Sequence, residues 1–472
     1  MKIAFVVSEA VPYVKTGGLA DVAAALPRAL IRAGHEVLLV IPLYRIIRDR
    51  VGPLSLRAAA GTGLPAVFED RGADVPALFL ENETWFGRGH LYGTSAGEDP
   101  QNGDRFAWFC RAALLTMRRL GFNPEIVHLH DWQSAAAAVY LRFVFDRDPV
   151  FRDVRSVFTI HNLAYQGLGD PGLLDRAGWP EDLFRTEEME FHGRVSLLKA
   201  GILYADAVTT VSPRYAREIQ TPEFGCGLDG LLRARGPRLK GILNGIDEDS
   251  WNPQTDPEIA RRFGPDDLSG KMDCKTDLLA AFGMAGPADE PVIGLVSRLA
   301  GQKGLDLAAE AVDDLVSLGV RLVVLGEGEA PIERLLRSAR KRHPGTIGLK
   351  IGYDDRLARK IFAGSDLFLI PSRYEPCGLT QMYAQRYGSI PVVRAVGGLD
   401  DTVDEYQPET GEGTGFKFDE ATPAALTGAV RRALKAWSNS AALRTLRRKG
   451  MTRDFSWKRP AEAYAELYRS LR

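Results

Sequence analysis

The chain of 472 residues is poor in cysteine and has no long apolar run, and these two features exclude several classes of protein. Its four cysteines form no C-x-x-C pair, so neither a disulfide framework nor a zinc cage is indicated. No stretch approaches the ~18 apolar residues that a membrane-spanning helix needs. Neither sign of charge is in excess, because 60 Lys and Arg face 61 Asp and Glu. This balance argues against a protein that coats nucleic acid or an anionic membrane.

The apolar run at 3–7 could be mistaken for the start of a secretory signal. Glu9 and Lys15 interrupt it, which leaves it shorter than the ~7–15 apolar residues of a signal peptide. We interpret the run as a buried first strand, and we expect the protein in the cytoplasm.

Short β-branched runs alternate with longer amphipathic runs along most of the chain. The first half predicts strands and helices in turn: strand 2–8, a helix after Gly18, strand 35–41, helix 105–120, strand 126–129, helix 132–145 and strand 154–160. A second series begins near residue 291: strand 292–296, helix 303–318, strand 321–325, helix 331–342, strand 347–351, helix 355–363, strand 367–370, helix 378–387 and strand 390–393. Such alternation predicts an α/β protein with two Rossmann-like, doubly wound parallel sheets that face a deep cleft.

Three segments follow from this pattern. We place an N-terminal domain at 1–245, a C-terminal domain at 246–455, and a final helix at 456–472 that is able to pack back on the N-terminal domain. The stretch from about 244 to 290 is rich in Asn, Asp, Gly and Pro, and we interpret it as an irregular linker.

Familiar nucleotide motifs are missing. Neither G-x-x-x-x-G-K-[ST] nor G-x-G-x-x-G occurs, so a P-loop and a dinucleotide fingerprint lose support. Two D-x-D sequences, 146–148 and 247–249, match a metal-binding motif of some sugar transferases. Three residues match often by chance, and a solvated turn is the better interpretation.

A glycine-rich turn, 15–18, lies between the first strand and the first helix. Its glycines let backbone amides approach a ligand, and the helix N-terminus together with Lys15 favours an anion. A turn that needs positive φ beside a solvated lysine accounts for the same residues equally well. These residues alone leave both interpretations open.

Polar residues follow two strands of the first half, at 128–132 and 160–162. The carboxyl ends of parallel strands are where a doubly wound domain presents functional groups. A single histidine there is more often structural. Asp131 and His161, at the ends of separate strands, could nevertheless converge on one ligand.

The second half carries a comparable set of residues. Arg298 and Lys303 flank the loop after its first strand, and two cations beside a helix N-terminus suit a diphosphate, with solvated surface charges as the alternative. Glu375 lies in a Pro-bounded turn at another strand end. The amides of 378–380 open the next helix and are available to a phosphate. Cys377 is better explained as a small packed side chain than as a nucleophile.

Five ordered motifs, which run from residue 1 to near the C-terminus, closely resemble the bacterial glycogen synthases and plant starch synthases. They are Lys15-Thr16-Gly17-Gly18-Leu19-Ala20-Asp21-Val22, Phe158-Thr159-Ile160-His161-Asn162-Leu163-Ala164-Tyr165-Gln166-Gly167, Leu243-Asn244-Gly245-Ile246-Asp247, Ser297-Arg298-Leu299 through Lys303-Gly304, and Glu375-Pro376-Cys377-Gly378-Leu379-Thr380. The resemblance implies a GT-B fold and a retaining glucosyltransferase that uses neither a metal nor a cofactor. The donor would be ADP-glucose, held mainly by the C-terminal domain. The acceptor would be the non-reducing end of glycogen or another α-1,4-glucan, held mainly by the N-terminal domain.

The same resemblance implies roles for individual residues. The diphosphate would be contacted by Arg298, Lys303, Gly18 and the turn of Leu379 and Thr380. The transferred glucosyl group would be surrounded by Glu375, Asn244, His161 and Asp131, and Tyr353 would pack on the adenine. The other substrate-binding positions are Lys15, Gly17, Asp21, Asn162, Cys377 and Gly378.

Three positions depart from the family pattern. Gln133 stands where His is common, Gln101-Asn102 replaces an acceptor-side Asp-Asn, and His192 replaces a usual Tyr. All three lie in the N-terminal half, so they bear on acceptor preference more than on donor handling.

Two routes to retention are open. Glu375 could act as a covalent nucleophile, which in retaining glycosidases needs a second carboxyl group ~5–5.5 Å away. The leaving phosphate could instead deprotonate the incoming hydroxyl on the same face, with His161 and Asp131 stabilising positive charge on the sugar ring. We favour the second route, because the strand ends supply stabilising groups rather than an obvious pair of carboxylates.

Two rival functions share features with this one. A glucan phosphorylase would carry pyridoxal phosphate on a lysine, and the sequence shows no motif for that lysine. A non-catalytic sensor of nucleotide sugars would bind ADP-glucose without transferring glucose. The sensor is disfavoured because the expected catalytic residues are all present.

Overall fold

The computed structural model describes residues 1–50, 54–70, 72–94, 97–284 and 289–472. It divides the chain into two compact units. Unit 1 comprises Met1–Gly245 together with Trp457–Arg472, and unit 2 comprises Ile246–Ser456. No helix in these ranges is long and apolar enough to cross a bilayer.

Unit 1 is built on a mixed, mostly parallel sheet. Its strands are β1 Lys2–Val6, β2 Glu36–Pro42, β3 Ser55–Ala58, β4 Val67–Asp70, β5 Ala77–Leu80, β6 Gly93–Thr94, β7 Gly97–Glu98, β8 Ile126–His130, β9 Arg155–Ile160, β10 Leu168–Gly169, β11 Glu190–Phe191, β12 Arg194–Ser196, β13 Ala207–Thr210 and β14 Leu239–Gly241. Its helices before the second unit are α1 Gly18–Arg32, α2 Arg45–Arg50, α3 Glu83–Phe86, α4 Asn102–Arg119, α5 Asp131–Phe143, α6 Leu173–Ala177, α7 Leu197–Tyr204, α8 Pro213–Glu218 and α9 Asp229–Arg235.

Nine of these strands form one sheet, in the order β14-β13-β9-β8-β1-β2-β5-β4-β3. Pairing is parallel from β14 to β5, whereas β4 runs antiparallel to both β5 and β3. The parallel prediction is therefore right for the centre of the sheet and misses its edge. The edge strand β3 is short and mostly exposed, so it lacks the apolar run by which a buried strand is detected.

The centre of this sheet is fully buried. Residues 3–7 have no solvent exposure, and neither do the β8 residues Ile126, Val127 and Leu129. Helices α1, α4 and α5 bury apolar faces against this layer. Strands buried on both faces read as continuous apolar runs, which is why the sequence revealed them.

Unit 2 is built on a smaller sheet. Its strands are β15 Val292–Val296, β16 Arg321–Gly326, β17 Ile347–Ile351, β18 Leu367–Ile370, β19 Ile390–Arg394 and β20 Phe416–Phe418. Its helices are α10 Gly270–Ala281, α11 Leu305–Glu310, α12 Val312–Ser317, α13 Ala330–Arg342, α14 Asp355–Gly364, α15 Thr380–Arg386, α16 Gly397–Thr402, α17 Pro423–Trp437 and α18 Ser440–Thr452. The strand order is β17-β16-β15-β18-β19-β20, with parallel pairing throughout. The predicted doubly wound α/β class is thus confirmed for both units.

Two expectations for unit 2 are corrected. The stretch expected as an irregular linker belongs to the unit from Ile246 onward and contains α10, whose Lys271 ammonium donates to the carbonyls of Ala363 and Tyr387. The single helix expected at 303–318 is divided into α11 and α12 and is preceded by a 3₁₀ turn at Gly301–Lys303. Gly304, with φ of +66°, separates that turn from α11, because a left-handed residue cannot continue a right-handed helix.

The last helix, α19 Lys458–Ser470, returns to unit 1 and lies against α1. It buries Tyr464 and Tyr468 completely. The hydroxyl of Tyr468 lies 2.7 Å from Nδ1 of His128 in β8, so the helix is tied to the strand that carries the candidate site.

Candidate active site

Asp131 links the ends of two neighbouring strands in unit 1. Its Oδ1 accepts hydrogen bonds from the amides of His161 (2.6 Å) and Asn162 (3.3 Å), which follow β9. The residue has a φ of +55°, a left-handed conformation that is uncommon outside glycine and that Asp adopts more readily than most residues. Burial raises the pKa of the carboxyl group to about 7. The structure therefore joins the Asp131 carboxyl group to the backbone amides that follow β9 and holds Asp131 in a left-handed backbone conformation.

His161 is partly exposed, and its Nε2 lies 2.9 Å from Nδ1 of His130. Burial lowers the pKa of the His161 imidazole to about 3, so the ring is neutral at physiological pH. Asn162 uses its Oδ1 to accept from the amide of Ala164, which stabilises the turn after the strand. A neutral imidazole at a strand end can donate or accept one hydrogen bond but cannot serve as a cation.

Glu9 organises the glycine-rich turn, and sequence analysis did not assign it a role. The side chain is 3% exposed and accepts from the amides of Thr16 and Gly17 and from the Thr16 hydroxyl. The hydroxyl of Tyr92 donates to the same carboxylate at 3.0 Å. Burial raises the pKa of Glu9, and these donors act in the opposite direction. An acidic residue directly after a buried strand was the available signal, because such a charge must find donors.

The turn itself differs from the sequence expectation in one respect. Lys15 forms an ion pair of 2.8 Å with Asp21 in the first turn of α1, so its ammonium is already engaged. The amide of Gly17 is also taken, by Glu9. Helix α1 begins at Gly18 and has no side-chain cap. The donors left for an anion therefore begin at Gly18, at the end of the predicted motif.

Asn244, the last-but-one residue of unit 1 before the second unit begins, is 6% exposed. Its Oδ1 is buried and has no hydrogen-bond partner in the described parts of the chain. An unsatisfied buried acceptor is costly, and a ligand that donates a hydrogen bond would relieve that cost. This orphaned atom fits the expected contact with a sugar hydroxyl.

In unit 2, Lys303 and Glu375 form a close ion pair. The ammonium of Lys303 lies 2.8 Å from Oε1 and 2.7 Å from Oε2 of Glu375, and the Ser372 hydroxyl donates to Oε2 at 2.9 Å. Lys303 follows β15 and Glu375 follows β18, and these strands are neighbours in the sheet. The parallel topology thus brings together two residues that are 72 positions apart in sequence.

Arg298 lies exposed in the loop after β15. Within the ranges that the structure covers, its guanidinium forms no ion pair with a carboxylate. A planar guanidinium on the loop that also carries Lys303, without a carboxylate partner in the described ranges, can bind a phosphate with two parallel hydrogen bonds.

The segment from Glu375 to Thr380 is a tight turn before α15. Gly378 has a φ of +71°, and the side-chain amide of Gln381 donates to the carbonyls of Cys377 and Gly378, each at 3.0 Å. Helix α15 begins at Thr380, with Leu379 as the residue before it and no side-chain cap. The Cys377 side chain is 5% exposed, which agrees with a packed role.

A second glycine pair, Gly397-Gly398, supports this turn and was missed in the sequence. A Cβ at Gly397 would lie 1.9 Å from the carbonyl oxygen of Glu375, and one at Gly398 would lie 2.1 Å from that of Cys377. The amide of Gly398 also donates to the Glu375 carbonyl at 3.1 Å. The signal was present, since two glycines between a strand and a helix repeat the pattern of Gly17 and Gly18.

The remaining predicted positions lie further out. Tyr353 follows β17 and is 74% exposed. His192, with φ of +50°, occupies the exposed tip of the β11–β12 hairpin. Asn102 is buried and is used inside unit 1, where it donates to the Tyr92 carbonyl and accepts from Arg105.

The structure also shows the positions of Gln133 and Gln101, which depart from the family pattern, and of the two D-x-D sequences. Gln133 is buried in α5, and Gln101 accepts from Arg88 at 2.7 Å. The D-x-D sequences lie in turns, where Asp148 and Asp247 accept from backbone amides. In the described residues, no group of three or more His, Cys, Asp or Glu side chains is arranged to hold a metal ion.

Comparisons with known proteins cover both units. Residues 2–234 match the starch synthase catalytic domain family, and residues 283–449 match the glycosyl transferases group 1 family. A glycogen synthase of Anaeromyxobacter sp. strain Fw109-5 is 49% identical over 475 residues, covering 100% of this chain and 99% of that protein. A glycogen synthase of Myxococcus xanthus strain DK1622 is 47% identical over 482 residues, with coverage of 100% and 99%.

Solved structures agree with these matches. The catalytic domain of starch synthase IV from Arabidopsis thaliana, bound to ADP and acarbose, has a TM-score of 0.90 at 34% identity, covering 100% of this chain and 99% of that one. A sucrose-phosphate synthase from Thermosynechococcus elongatus, at 20% identity and a TM-score of 0.63 with coverage of 100% and 98%, shares the fold alone. Since full-length relatives, both family matches and the two Rossmann-like units agree, the chain belongs to the glycogen and starch synthase family of GT-B glycosyltransferases, which transfer glycosyl groups in glucan synthesis.

Proposed function

We propose that the protein transfers glucose from ADP-glucose to the non-reducing end of an α-1,4-glucan such as glycogen, with retention of the anomeric configuration. The observation that carries the proposal is the pair of Lys303 and Glu375 at adjoining strand ends, with Arg298 free of carboxylate partners among the described residues. This set is suited to a diphosphate leaving group. The starch synthase IV structure, which is bound to ADP and acarbose, supports the choice of a nucleotide sugar and a glucan.

Lys303 would stabilise the departing diphosphate while it remains paired with Glu375. An ammonium group has three N–H donors, and the carboxylate oxygens account for two of them. One donor is left for a phosphate oxygen. A cation and an anion 4 Å apart at an effective dielectric constant of 20 interact by ~4 kcal/mol before desolvation.

Arg298 would complete the contact with the diphosphate, together with the amides of Gly18 and of the turn Leu379–Thr380. A guanidinium presents a rigid fork, so it fixes the orientation of a phosphate as well as neutralising it. Tyr353 would pack on the adenine, for which its exposed ring is available.

The glucosyl group would be surrounded by Asp131, His161, Asn244 and Glu375. The carboxylate of Asp131 would stabilise positive charge on the ring in the transition state, and the neutral His161 would contribute a hydrogen bond. Asn244 would accept a hydrogen bond from a sugar hydroxyl through its orphaned Oδ1.

The same-face route to retention has more support than the covalent one. A covalent route needs a second carboxyl group ~5–5.5 Å from the nucleophile. In the described part of unit 2, the polar partners of the Glu375 carboxylate are Lys303 and Ser372. A carboxylate engaged in this way orients the lysine and is a poor nucleophile.

The test is an assay of purified protein with glycogen and either ADP-glucose or UDP-glucose. We expect release of ADP together with entry of labelled glucose into glycogen, and a much lower rate with UDP-glucose. Digestion of the product by enzymes specific for α-1,4 bonds should recover the label. Binding of ADP-glucose without transfer would replace the proposal by a sensor, and preference for UDP-glucose would overturn the donor assignment.

The cytoplasm is the compartment that we propose for this activity. None of the four cysteines, all of which lie in the described ranges, forms a disulfide, and Cys377 packs in the turn assigned to the donor, so a reducing compartment suits the site.

A further inference from the structure

Two buried histidines precede the candidate site on β8. His128 and His130 are two residues apart in the strand, so both side chains lie on the same face of the sheet, and their ring centroids are 4.2 Å apart. Both are completely buried, and burial lowers the pKa of each well below its usual value.

His128 is fully satisfied by its neighbours. Its Nδ1 lies 2.7 Å from the Tyr468 hydroxyl, and its Nε2 lies 2.7 Å from Oγ1 of Thr159. Thr159 is in turn 2.6 Å from Oγ1 of Thr209. Both nitrogens of His128 are therefore engaged within the fold, and its role is structural.

His130 has one partner for two ring nitrogens. Its Nδ1 lies 2.9 Å from Nε2 of His161, and its own Nε2 is buried without a hydrogen-bond partner in the described residues. The ring lies against Phe5, with centroids 5.3 Å apart and an angle of 22° between the planes. Among the described residues, no acceptor is therefore placed to receive a hydrogen bond from an N–H at Nε2 of His130.

The position of the proton follows from these contacts. If His130 carried its proton on Nε2, a buried N–H would be left unsatisfied, which is rarer in proteins than an under-satisfied acceptor. With the proton on Nδ1, His130 donates to Nε2 of His161. His161 must then carry its own proton on Nδ1, for which the described residues offer no acceptor.

We propose that His130 is a positioning residue that holds His161 in the Nδ1–H tautomer, so that this N–H is presented to a hydroxyl of the transferred glucosyl group. The proposal rests on the proposed function in one respect, the placement of the glucosyl group at His161. The tautomer itself depends only on the contacts within unit 1. In this arrangement the tautomer of His161 is fixed before the substrate binds, so its Nδ1–H is available as a donor.

Two variants separate this role from packing. His130→Asn keeps an N–H donor near the position of Nδ1, whereas His130→Leu keeps volume and removes the donor. We expect His130→Leu to lower kcat by about 10- to 100-fold, by analogy with the loss of partners that orient a catalytic histidine. His130→Asn should recover kcat to within about 5-fold of wild type, a modest loss of the kind expected when the hydrogen bond is kept. His128→Asn is the matched control, because it alters an equally buried histidine that does not contact His161.

The direct readout is nitrogen NMR of the protein labelled in its histidine rings, with His161 assigned through His161→Gln. Wild type should show a protonated Nδ1 and a bare Nε2 at His161, and His128→Asn should leave this pattern unchanged. A protonated Nε2 in wild type, or equal kcat values for His130→Leu and wild type, would overturn the proposal. Should His130→Leu fail to fold, the wild-type tautomer decides alone. An enzyme with the expected tautomer but no transfer of glucose would instead refute the proposed function.

Discussion

At the scale of single residues, the Lys303 ammonium is able to bind a phosphate while it stays paired with the Glu375 carboxylate. Lys303 and Glu375 have side chains that are 19% and 7% exposed, so their attraction is less screened than that of a surface pair. Removing one partner of such a pair leaves the other poorly solvated. A change at Lys303 leaves the more buried Glu375 carboxylate with the Ser372 hydroxyl as a donor, so some stability should be lost together with activity.

Lys303→Ala is expected to lower kcat about 10²- to 10³-fold, the range observed when one preorganised stabilising donor is removed from a catalytic site. The measurement is steady-state release of ADP, with circular dichroism to verify the fold. Lys341→Ala, at an exposed position in α13, is the matched control and should be neutral. Normal turnover in Lys303→Ala would contradict the leaving-group assignment.

Asp131 predicts a pH dependence of activity. With a pKa of about 7, its carboxyl group is charged above that value and neutral below it. If the charged form stabilises the transition state, kcat should rise between pH 6 and 8. Asp131→Asn, which cannot ionise, should have a lower kcat and a pH profile without this limb; a limb that persists unchanged in the variant would assign the titration to another group.

At the scale of elements, the position of Lys303 depends on how the loop after β15 becomes α11. Gly304 has a φ of +66°, and a Cβ there would lie 2.0 Å from the carbonyl oxygen of Pro371, just after β18. The loop therefore approaches the segment that carries Glu375 so closely that no space is left for a Cβ at position 304. Only glycine permits both the left-handed conformation and this approach.

Gly304→Ala should destabilise the protein and displace Lys303. Gly319→Ala is the matched control, because Gly319 also has a positive φ, of +76°, but a Cβ there would meet nothing within 4 Å. Both variants place an alanine at a positive φ, so the difference between their free energies of unfolding isolates the steric conflict with Pro371. We expect Gly304→Ala to lower the free energy of unfolding by about 1–3 kcal/mol more than Gly319→Ala, as measured by denaturant unfolding. Equal losses would show that the loop can move away from Pro371.

At the scale of the molecule, buried titratable groups couple folding to pH. His128 has a folded-state pKa well below its ordinary value, whereas in the unfolded chain it takes up a proton below about pH 6.5. The unfolded state then binds more protons, so the stability contributed by this residue falls as the pH falls below 6.5. Asp131 acts in the opposite direction, since its pKa is raised, and the net slope mixes these contributions.

A difference measurement isolates His128. The free energy of unfolding lost in His128→Asn should shrink by about 1.4 kcal/mol for each pH unit below 6.5, because the variant lacks the titrating group. Leu80→Ala, a change at a fully buried position of β5, which β1 and β2 separate from β8, removes no titratable group and should cost the same at every pH. Denaturant titrations at pH 7.5, 6.5 and 5.5 provide the values, and a pH-independent cost for His128→Asn would refute this coupling.

Much of the architecture was legible in the sequence. The central strands are buried on both faces, so they appear as continuous apolar runs, and the helices between them keep their amphipathic period. The antiparallel edge β3–β4 and the helix within the expected linker could not be predicted from the sequence. The edge strand β3 is mostly exposed, and α10 has no marked apolar face, so neither shows a clear period.

The candidate residues were predicted from chemistry and motif, but their relations were not. The sequence placed Asp131, His161 and Glu375 at strand ends, and Lys303 in the loop that leads from a strand to the next helix. It could not show that Glu9 holds the glycine-rich turn, or that Lys15 is engaged by Asp21. These contacts depend on the direction of side chains in loops, which no periodicity encodes.

From the sequence it was possible to predict the central strands of the two sheets, several strand ends that carry polar groups and the family that the chain resembles, because burial and motif are local properties of the chain. Which of those groups come into contact depends on the tertiary structure. The contacts of His130 with His161 and of Lys303 with Glu375 join positions 31 and 72 residues apart. Strand order and parallel register bring such positions within hydrogen-bonding distance, and these are set by the packing of the whole sheet.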